Sequence, residues 1–258
     1  MRFRPCIDIH NGKIKQIVGG SLSDQGNQAE ENFVSMQDGS FYGTLYRNHQ
    51  LSGGHIILLN AKDSQYYEAD KNEAVKALHA FPKGLQIGGG ITNENAAYFM
   101  EQGASHVIVT SFVFADGKIR YDRLKLLEDA VGKEHIVLDL SCRKKDGNYY
   151  VVTDRWQKFT NQILTDRLLS ELENHCDEFL IHGVDVEGKA QGIDQELVEI
   201  LAKYEGNPVT YAGGVRNFDD LRTLKIHGKD KIDVTIGSAL DLFGGSMNFS
   251  EVLTYCEQ

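Results

Sequence analysis

The chain alternates along its whole length between short apolar runs and longer stretches in which apolar residues recur at helical spacing. Eight of the apolar runs have the length of a strand, and each is followed by a helix or by a connection that contains one. Continuous apolar strands separated by amphipathic helices are typical of a parallel sheet with a covered outer face, so the pattern predicts an α/β fold. The predicted strands lie within Pro5–Lys13 and at His55–Leu59, Leu85–Ile87, His106–Val109, Ile136–Leu140, Glu178–His182, Pro208–Tyr211 and Asp233–Ile236.

Helices are predicted between the strands, and two long polar connections interrupt the alternation. Residues 21–40 are rich in Gln, Asn and Ser, and Ser141–Asn161 contains the only tryptophan, Trp156. We interpret both connections as loops, and long loops in compact domains often act as lids. The predicted helices are Tyr42–Leu51, Asn72–Phe81, Glu94–Gln102, Asp122–Val131, Leu164–Asn174, Gln195–Tyr204, Asp219–Ile226 and Ser250–Cys256.

The chain also repeats itself at an interval of about half its length. A length of 258 residues without a break in composition favours one domain that spans residues 1–258. Eight strand–helix units at this length favour a closed (βα)8 barrel, or TIM barrel, over an open doubly wound sheet. The repeat predicts that this barrel consists of two similar half-barrels. The repeated features are Gly89-Gly90 with Gly213-Gly214, Thr110-Ser111 with Gly237-Ser238, and Asp8 with Asp139.

The charge of the chain narrows the choice of partners. A formal net charge of -10 argues against a nucleic-acid or membrane surface, which would need basic patches. No run of about 18 apolar residues is present, so the sequence predicts no membrane span. A phosphorylated small molecule remains compatible with an acidic chain, because backbone N–H groups and a few local cations can hold its phosphates.

The cysteines and the first residues indicate a cytoplasmic protein. Cys6, Cys142, Cys176 and Cys256 are scattered without a C-x-x-C pair, which is typical of reduced thiols and not of a zinc site or a disulfide framework. The chain starts without an apolar signal-peptide core. Cys6 and Cys142 lie near Asp8 and Asp139 in sequence, but we expect both thiols to fill small apolar spaces.

Asp8 and Asp139 are the candidate catalytic residues. Each lies in an apolar strand, where an unpaired carboxylate would cost several kcal/mol. A buried salt bridge could explain either residue alone. Two matched strands that each deliver one Asp instead indicate two acid/base groups that face one cavity. Histidine and carboxylate clusters with metal-ligand spacing are not evident, so the sequence predicts neither a metal nor a cofactor.

Glycine-rich and serine-bearing turns follow the strands that flank the two Asp strands. In barrels of this type the functional groups lie where strands end, and such turns can direct several N–H donors at a phosphate. The glycines could merely allow tight corners, but two pairs in matching positions favour binding. We call Gly89, Gly90, Thr110 and Ser111 the first phosphate cradle, and Gly213, Gly214, Gly237 and Ser238 the second.

Two phosphate cradles with two carboxylates between them predict a small-molecule ligand that carries a phosphate at each end. The reaction would then take place midway, and two Asp residues suit a step that needs one protonated and one ionised group. Gly20, at the end of the extended run after the first strand, is a further candidate substrate-binding residue. Because no exposed apolar stripe is predicted to remain once the barrel has formed, we expect a monomer.

Several segments, in this order, resemble the phosphoribosylformimino-5-aminoimidazole carboxamide ribotide isomerase family of histidine biosynthesis, particularly its fungal members. The resemblance covers essentially the whole chain. It is carried by Cys6-Ile7-Asp8-Ile9-His10-Asn11-Gly12, Gly88-Gly89-Gly90-Ile91, Val137-Leu138-Asp139-Leu140-Ser141-Cys142-Arg143-Lys144, Trp156-Gln157, Ile181-His182-Gly183-Val184-Asp185-Val186-Glu187-Gly188, Tyr211-Ala212-Gly213-Gly214 and Thr235-Ile236-Gly237-Ser238.

The resemblance implies an Amadori rearrangement of an aminoaldose to an aminoketose. A general acid protonates the ribose ring oxygen, the furanose opens to a Schiff base, and a general base removes the C2 proton to give an enolamine that tautomerises to the ketose. By this resemblance Asp8 is the base, Asp139 the acid, and Trp156 stacks on the substrate. Arg143 is expected to hold polar groups of the substrate.

The chain departs from the bacterial pattern of this family in three places. His182-Gly183 replaces the usual Thr-Asp at the sixth strand exit, so His182 either donates a hydrogen bond to the substrate or is structural. Thr110 stands where bacterial members usually have Gly, and the connection after Asp139 is longer. Two alternatives stay open at this point: the ammonia-using cyclase of the same pathway, which shares the half-barrel repeat, and a noncatalytic phosphate-binding barrel.

Overall fold

Eight parallel strands form the body of the fold, as the alternation predicted. The computed structural model describes residues 1–17, 31–154, 156–187 and 191–257. Its strands are β1 Cys6–His10, β2 Lys13–Ile17, β3 Glu31–Val34, β4 Gly54–Leu58, β5 Leu85–Gly88, β6 His106–Val109, β7 Phe114–Ala115, β8 Lys118–Ile119, β9 Ile136–Asp139, β10 Cys142–Lys145, β11 Asn148–Thr153, β12 Lys158–Ile163, β13 Glu178–His182, β14 Val209–Ala212 and β15 Asp233–Thr235. Its α-helices are α1 Gly39–Asn48, α2 Tyr67–Ala80, α3 Ala96–Glu101, α4 Tyr121–Val131, α5 Asp166–Leu172, α6 Gln195–Leu201, α7 Phe218–His227 and α8 Phe249–Glu257.

The parallel strands follow one another around a barrel in chain order. Neighbouring strands pair in the order β1, β4, β5, β6, β9, β13, β14 and β15. A parallel bridge between Phe3 and Val234 joins the segment before β1 to β15 and closes the ring. The Arg4 N–H donates to the Val234 carbonyl at 2.8 Å, and the Val234 N–H donates to the Arg2 carbonyl at 2.9 Å. The predicted TIM barrel is therefore confirmed.

Burial on both faces explains why the barrel strands read as continuous apolar runs. Inside the barrel, Ile108, Val137, Leu180 and Ala212 form a small cluster against which Ile57 packs. Most other buried apolar side chains belong to one larger cluster, which includes residues of both the strands and the helices. Parallel strands covered in this way have no solvent face, and their residues are therefore mostly apolar.

Side-chain caps set several helix starts. Asp38 accepts hydrogen bonds from the N–H groups of Ser40 and Phe41, so α1 begins at Gly39 and not at Tyr42 as predicted. Thr165, Asp194 and Asn217 cap α5, α6 and α7 in the same way. Caps of this kind satisfy N–H groups that have no partner within the helix. The other predicted helices agree in place and differ at their ends, the largest difference being at α2.

The predicted loop Ser141–Asn161 is wrong, because this segment contains an antiparallel sheet of β10, β11 and β12. Lys145 of β10 pairs with Asn148 of β11 across a two-residue turn. Asp146 and Gly147 form this turn with φ angles of 49° and 79°. Asp-Gly between two strands is a strong hairpin signal, since both central residues need positive φ, so the sequence contained the information.

The predicted loop at residues 21–40 is also wrong in its second half. β3 pairs with β2 in antiparallel fashion, and α1 already begins at Gly39. Residues 18–30, and with them Gly20 and much of one lid candidate, lie outside the described residues.

Charged residues at the amino-terminal ends of the strands form a buried network. The Arg4 guanidinium contacts Asp233 at 3.0 Å and Glu178 at 3.4 Å. The Gln86 amide donates to Glu178 at 2.7 Å. Buried charges are tolerated when they are paired and hydrogen-bonded, as they are here. Because the network lies at the amino-terminal ends of the strands, it occupies the end of the barrel opposite to the predicted site. No helix in the described parts of the chain is long and apolar enough to cross a membrane.

Candidate active site

A cavity of about 560 Å³ opens at the carboxyl ends of the parallel strands. It brings together all but two of the predicted site residues, from both half-barrels. Gly20 lies outside the described residues, and Arg143 does not line the cavity. The predicted residues that line it are Asp8, Gly89, Gly90, Thr110, Ser111, Asp139, Trp156, His182, Gly213, Gly214, Gly237 and Ser238.

Asp8 projects from β1 into this cavity. Gln16 of the adjacent strand β2 approaches it, with Nε2 at 3.4 Å from Asp8 Oδ2. Burial, followed by the nearby charge of Glu187, raises the pKa of Asp8 to about 7, while His182 acts in the opposite direction. Asp8 can therefore change its protonation state near neutral pH, as a catalytic acid or base must.

Asp139, the last residue of β9, has more hydrogen-bond donors around it than Asp8. Thr110 Oγ1 donates to Oδ2 at 3.1 Å, and the Ser141 N–H and Oγ donate to Oδ1 at 2.9 and 2.8 Å. His182 Nδ1 lies 3.4 Å from Oδ1. Burial alone would raise the pKa of Asp139, but the charge of His182 and these hydrogen bonds lower it below its usual value. Asp139 is therefore ionised at neutral pH.

His182 ends β13 and lies against Asp139. Burial acts to lower its pKa, but Asp139, assisted by Glu187 and Asp8, raises the pKa of His182 to about 9. The ring of His55 lies 6.1 Å from that of His182, and burial together with the His182 charge lowers the pKa of His55 to about 3. At neutral pH the cavity thus holds one imidazolium and one neutral imidazole.

Trp156 lies in the turn between β11 and β12, at the cavity wall. Its Nε1–H donates to Ser141 Oγ at 3.1 Å, and its ring lies 6.0 Å from that of His182. Ser111 Oγ accepts a hydrogen bond from the Asp154 N–H at 3.2 Å. These bonds connect the β11–β12 turn to both the Asp139 environment and the first cradle.

Arg143 was predicted to bind the substrate, but the structure places it away from the cavity. Its Nε lies 3.0 Å from Asp185 Oδ1, and its guanidinium covers the ring of Phe159 at 5.7 Å. Arg143 lies within β10 and not in a free loop after β9, so its side chain supports the β10–β12 sheet and does not line the cavity.

Glycine is required in the turns of both cradles for the same physical reason. Gly89 has φ of 97°, and a Cβ there would overlap with the Leu58 carbonyl oxygen. Gly214 has φ of 75°, and a Cβ there would overlap with the Gly192 carbonyl oxygen. Both positions thus require glycine for conformation and for close backbone packing.

Several residues of the cavity were not predicted from the sequence. They are Gln16, His55, Lys62, Ser141 and Glu187. Lys62 and Glu187 follow β4 and β13 on the same rim, so their positions after predicted strands could have indicated them. Burial raises the pKa of Glu187, and its charge in turn raises that of Asp8. Gln16 and His55 gave no such signal, because each lies within a strand.

One group among the described residues has side chains close enough to hold a metal ion. His106, Asp177 and Glu178 lie at the amino-terminal ends of β6 and β13, and none of them lines the cavity. Glu178 already accepts hydrogen bonds from Arg4 and Gln86. This group was not evident from sequence spacing, since His106 comes from a different strand.

Together, the fold and the cavity define a class of protein: a (βα)8 barrel whose two half-barrels each contribute a carboxylate and a glycine turn to one rim. A family model described as Histidine biosynthesis protein matches residues 2–247, and the chain belongs to this family.

Three relatives that this chain matches are named as the same isomerase. A protein of Medicago truncatula is 52% identical over 262 residues, covering 100% of this chain and 82% of the relative, and is named a chloroplastic 1-(5-phosphoribosyl)-5-((5-phosphoribosylamino)methylideneamino) imidazole-4-carboxamide isomerase. Proteins of Yarrowia lipolytica and Neurospora crassa bear the same isomerase name. The Yarrowia lipolytica protein is 46% identical over 100% of this chain and 98% of its own length. The Neurospora crassa protein is 44% identical over 95% of this chain and 93% of its own length.

Proposed function

We propose that this protein isomerises 1-(5-phosphoribosyl)-5-((5-phosphoribosylamino)methylideneamino) imidazole-4-carboxamide, the substrate in its relatives' names, from the aminoaldose to the aminoketose. One observation carries the proposal: Asp8 and Asp139 come from different half-barrels and line one cavity together with both pairs of glycine turns. A substrate with a phosphate at each end would place its reacting ribose between the turns and beside the carboxylates.

The two ends of the cavity suit phosphate groups. Gly89 and Gly214 hold backbone turns that side chains would block, so phosphate oxygens can approach main-chain N–H groups there. The stem of Lys62 runs across Gly90, with its Cγ 3.3 Å from where a Cβ would lie. Lys62 Nζ lies 3.4 Å from Thr92 Oγ1, and no carboxylate among the described residues pairs with it. We propose that Lys62 supplies a cation to the first cradle.

Asp8 is proposed as the general base. Ionised Asp8 would remove the C2 proton of the Schiff base and later return a proton as the enolamine becomes the ketose. A carboxylate whose pKa is about 7 is a stronger base than an ordinary Asp and is still substantially ionised at neutral pH. Burial and, after it, the charge of Glu187 maintain this raised pKa.

The general acid is proposed to be the Asp139–His182 pair. The lowered pKa of Asp139 is the reverse of what a carboxylic acid acting alone would need. His182 carries the proton in the free enzyme, because its pKa is raised to about 9, and the two side chains lie 3.4 Å apart. The pair can therefore give a proton to the ribose ring oxygen through His182 directly or through Asp139. Trp156 would stack on the substrate beside them.

These proton transfers use carboxylates and an imidazole, and we propose that the reaction needs no metal or cofactor. We also propose a monomer, because one chain supplies the described cavity residues from both half-barrels. The four cysteines are unpaired, which supports a reducing compartment such as the cytoplasm, although the Medicago truncatula relative is named chloroplastic. Light scattering of the purified protein, which gives its mass in solution, tests the oligomeric state.

In the direct test, the purified protein is incubated with the aminoaldose, and the product is identified by chromatography and by the NMR chemical shifts of its ribose carbons. The product should have the same mass as the aminoaldose. Appearance of the aminoketose supports the proposal. Unchanged aminoaldose, together with ammonia-dependent conversion of the aminoketose to imidazole glycerol phosphate, would instead indicate the cyclase. Binding of the bisphosphate without any conversion would indicate a noncatalytic barrel.

A further inference from the structure

Thr110 follows β6 at the position that Gly237 occupies after β15 in the other half-barrel. The two residues precede Ser111 and Ser238, which are equivalent in the same way. One half-barrel thus places a hydroxyl where the other places no side chain at all.

The Thr110 hydroxyl is already committed to a carboxylate. It donates to Asp139 Oδ2 at 3.1 Å, whereas the Ser141 and His182 contacts are made to Oδ1. Among the described residues, Thr110 is the donor that reaches Oδ2. A hydroxyl has one hydrogen to donate, and phosphate oxygens need donors. Thr110 therefore cannot bind Asp139 and donate to a phosphate at the same time.

Gly237 leaves space that a different residue uses. A Cβ at Gly237 would overlap with Gln16 Oε1, so the Gln16 amide lies where a side chain at this position would be. Gln16 Nε2 lies 3.4 Å from Asp8 Oδ2 and 3.7 Å from Cys6 Sγ. In the part of the chain that the structure describes, a neutral donor thus approaches Oδ2 of each carboxylate, and it comes from Thr110 for Asp139 and from Gln16 for Asp8.

We infer that Thr110 and Gln16 are positioning residues for the two carboxylates, and that the Thr110 hydroxyl acts through Asp139 and does not donate to a phosphate. Each donor fixes Oδ2, so that the carboxylate presents a constant orientation to the substrate. The absence of a side chain at Gly237 is the condition that lets Gln16 do this at Asp8. The kinetic part of this inference rests on the proposed isomerase function.

The kinetic experiment compares Thr110→Val, which keeps the shape and removes the hydroxyl, with Thr110→Ser, which keeps the hydroxyl. We expect Thr110→Val to lower kcat about 10-fold, the effect of losing one hydrogen bond to a charged group, with KM within about 2-fold. Thr110→Ser should recover most of kcat. Gln16→Met should lower kcat by a smaller factor, because its bond to Asp8 is longer.

Ser111→Ala is the matched comparison, since Ser111 is the neighbouring cradle residue and is expected to affect KM. A Thr110→Val enzyme with raised KM and unchanged kcat would overturn the inference and return Thr110 to the phosphate cradle. If Thr110→Val does not fold, Thr110→Ala removes the same hydroxyl and replaces it in the experiment.

A second measurement does not depend on turnover. In protein labelled with ¹³C at Asp side-chain carboxyls, the pKa of Asp139 should rise in Thr110→Val and return in Thr110→Ser, because the lost bond stabilises the ionised form. An Asp139 titration that is unchanged in Thr110→Val overturns the inference even if the wild-type protein proves not to be the proposed isomerase. Wild-type turnover, measured separately, decides the proposed function.

Discussion

The two half-barrels place the same chemical group on the same rim but give it opposite properties. Among the described residues, Gln16 approaches Asp8 at 3.4 Å, and burial together with the nearby Glu187 raises the pKa of Asp8 to about 7. Asp139 has donors from Thr110, Ser141 and His182, and its pKa is lowered. A repeated sequence thus determines where the two carboxylates lie, while residues that differ between the two half-barrels determine which one is protonated. Separation of two pKa values by environment is how a pair of identical groups can divide acid and base roles.

The phosphate cradles show a similar difference. Both are built on glycine turns with positive φ that pack against a backbone carbonyl. Lys62 and Lys158 are the lysines among the described cavity residues, and Lys158 pairs with Asp154 at 2.7 Å. Lys62 borders Gly90 of the first cradle. The backbone therefore provides what the two ends share, and side chains such as Lys62 distinguish them.

Removal of either carboxylate should have the largest effect on activity. We expect Asp8→Asn and Asp139→Asn each to lower kcat by roughly 10²-fold or more, because each removes a group required for proton transfer. Steady-state kinetics with the aminoaldose measures this, and circular dichroism shows whether the fold is retained. A near-wild-type rate in either folded variant would show that the substituted Asp does not transfer a proton in the reaction.

The pH dependence should separate the two roles. Ionisation of Asp8, whose pKa is raised to about 7, activates a base, so kcat/KM should rise with pH up to about 7 and fall about 10-fold per unit below it. Loss of the His182 proton near pH 9 removes the acid, so kcat/KM should fall again above that value. The profile should be bell-shaped.

His182→Asn provides the control for this profile. It should lose the limb near pH 9 and retain the Asp8 limb, which should move to higher pH because the His182 charge lowers the pKa of Asp8 in the wild type. If activity in the wild type instead decreases as pH rises through 7, Asp8 is the acid and the assignment of the two half-barrels must be exchanged.

Lys62→Met tests the difference between the cradles. The substitution keeps the apolar stem over Gly90 and removes the charge, so we expect KM to rise roughly 5- to 10-fold while kcat changes little. Lys125→Met is the matched control, because Lys125 is exposed on α4 and pairs with Asp129 away from the cavity. Equal KM values for both variants would show that Lys62 does not contact a phosphate.

The smallest difference between the half-barrels is expected in the stability effect of substitutions in the glycine turns, because both cradles share this backbone structure. Gly89→Ala and Gly214→Ala each force a Cβ into a carbonyl group at positive φ, and each should lower the free energy of unfolding by roughly 1–3 kcal/mol. Urea unfolding of the two variants measures this. A much larger loss in one variant would show that the half-barrels differ in backbone packing as well as in side chains.

Much of the fold could be predicted because barrel strands are buried on both faces and therefore read as apolar runs. His106–Val109 and Glu178–His182 have the same bounds in the sequence prediction and in the structure. The β10–β12 sheet was missed since β10 and β12 consist mostly of polar residues, and the Asp146-Gly147 turn was not used as a hairpin signal. Arg143 was misplaced as a consequence of the same error.

The sequence by itself determined which chemical groups stand at the carboxyl ends of the barrel strands. Asp8, Asp139 and the glycine turns could be identified because strand ends share one rim whatever the details of packing, whereas Trp156 was identified from the family resemblance. Only the tertiary structure decided the protonation of the two carboxylates. A pKa depends on burial and on groups within a few ångströms, and Glu187, His182, Thr110 and Gln16 reach the carboxylates from other strands and their connections.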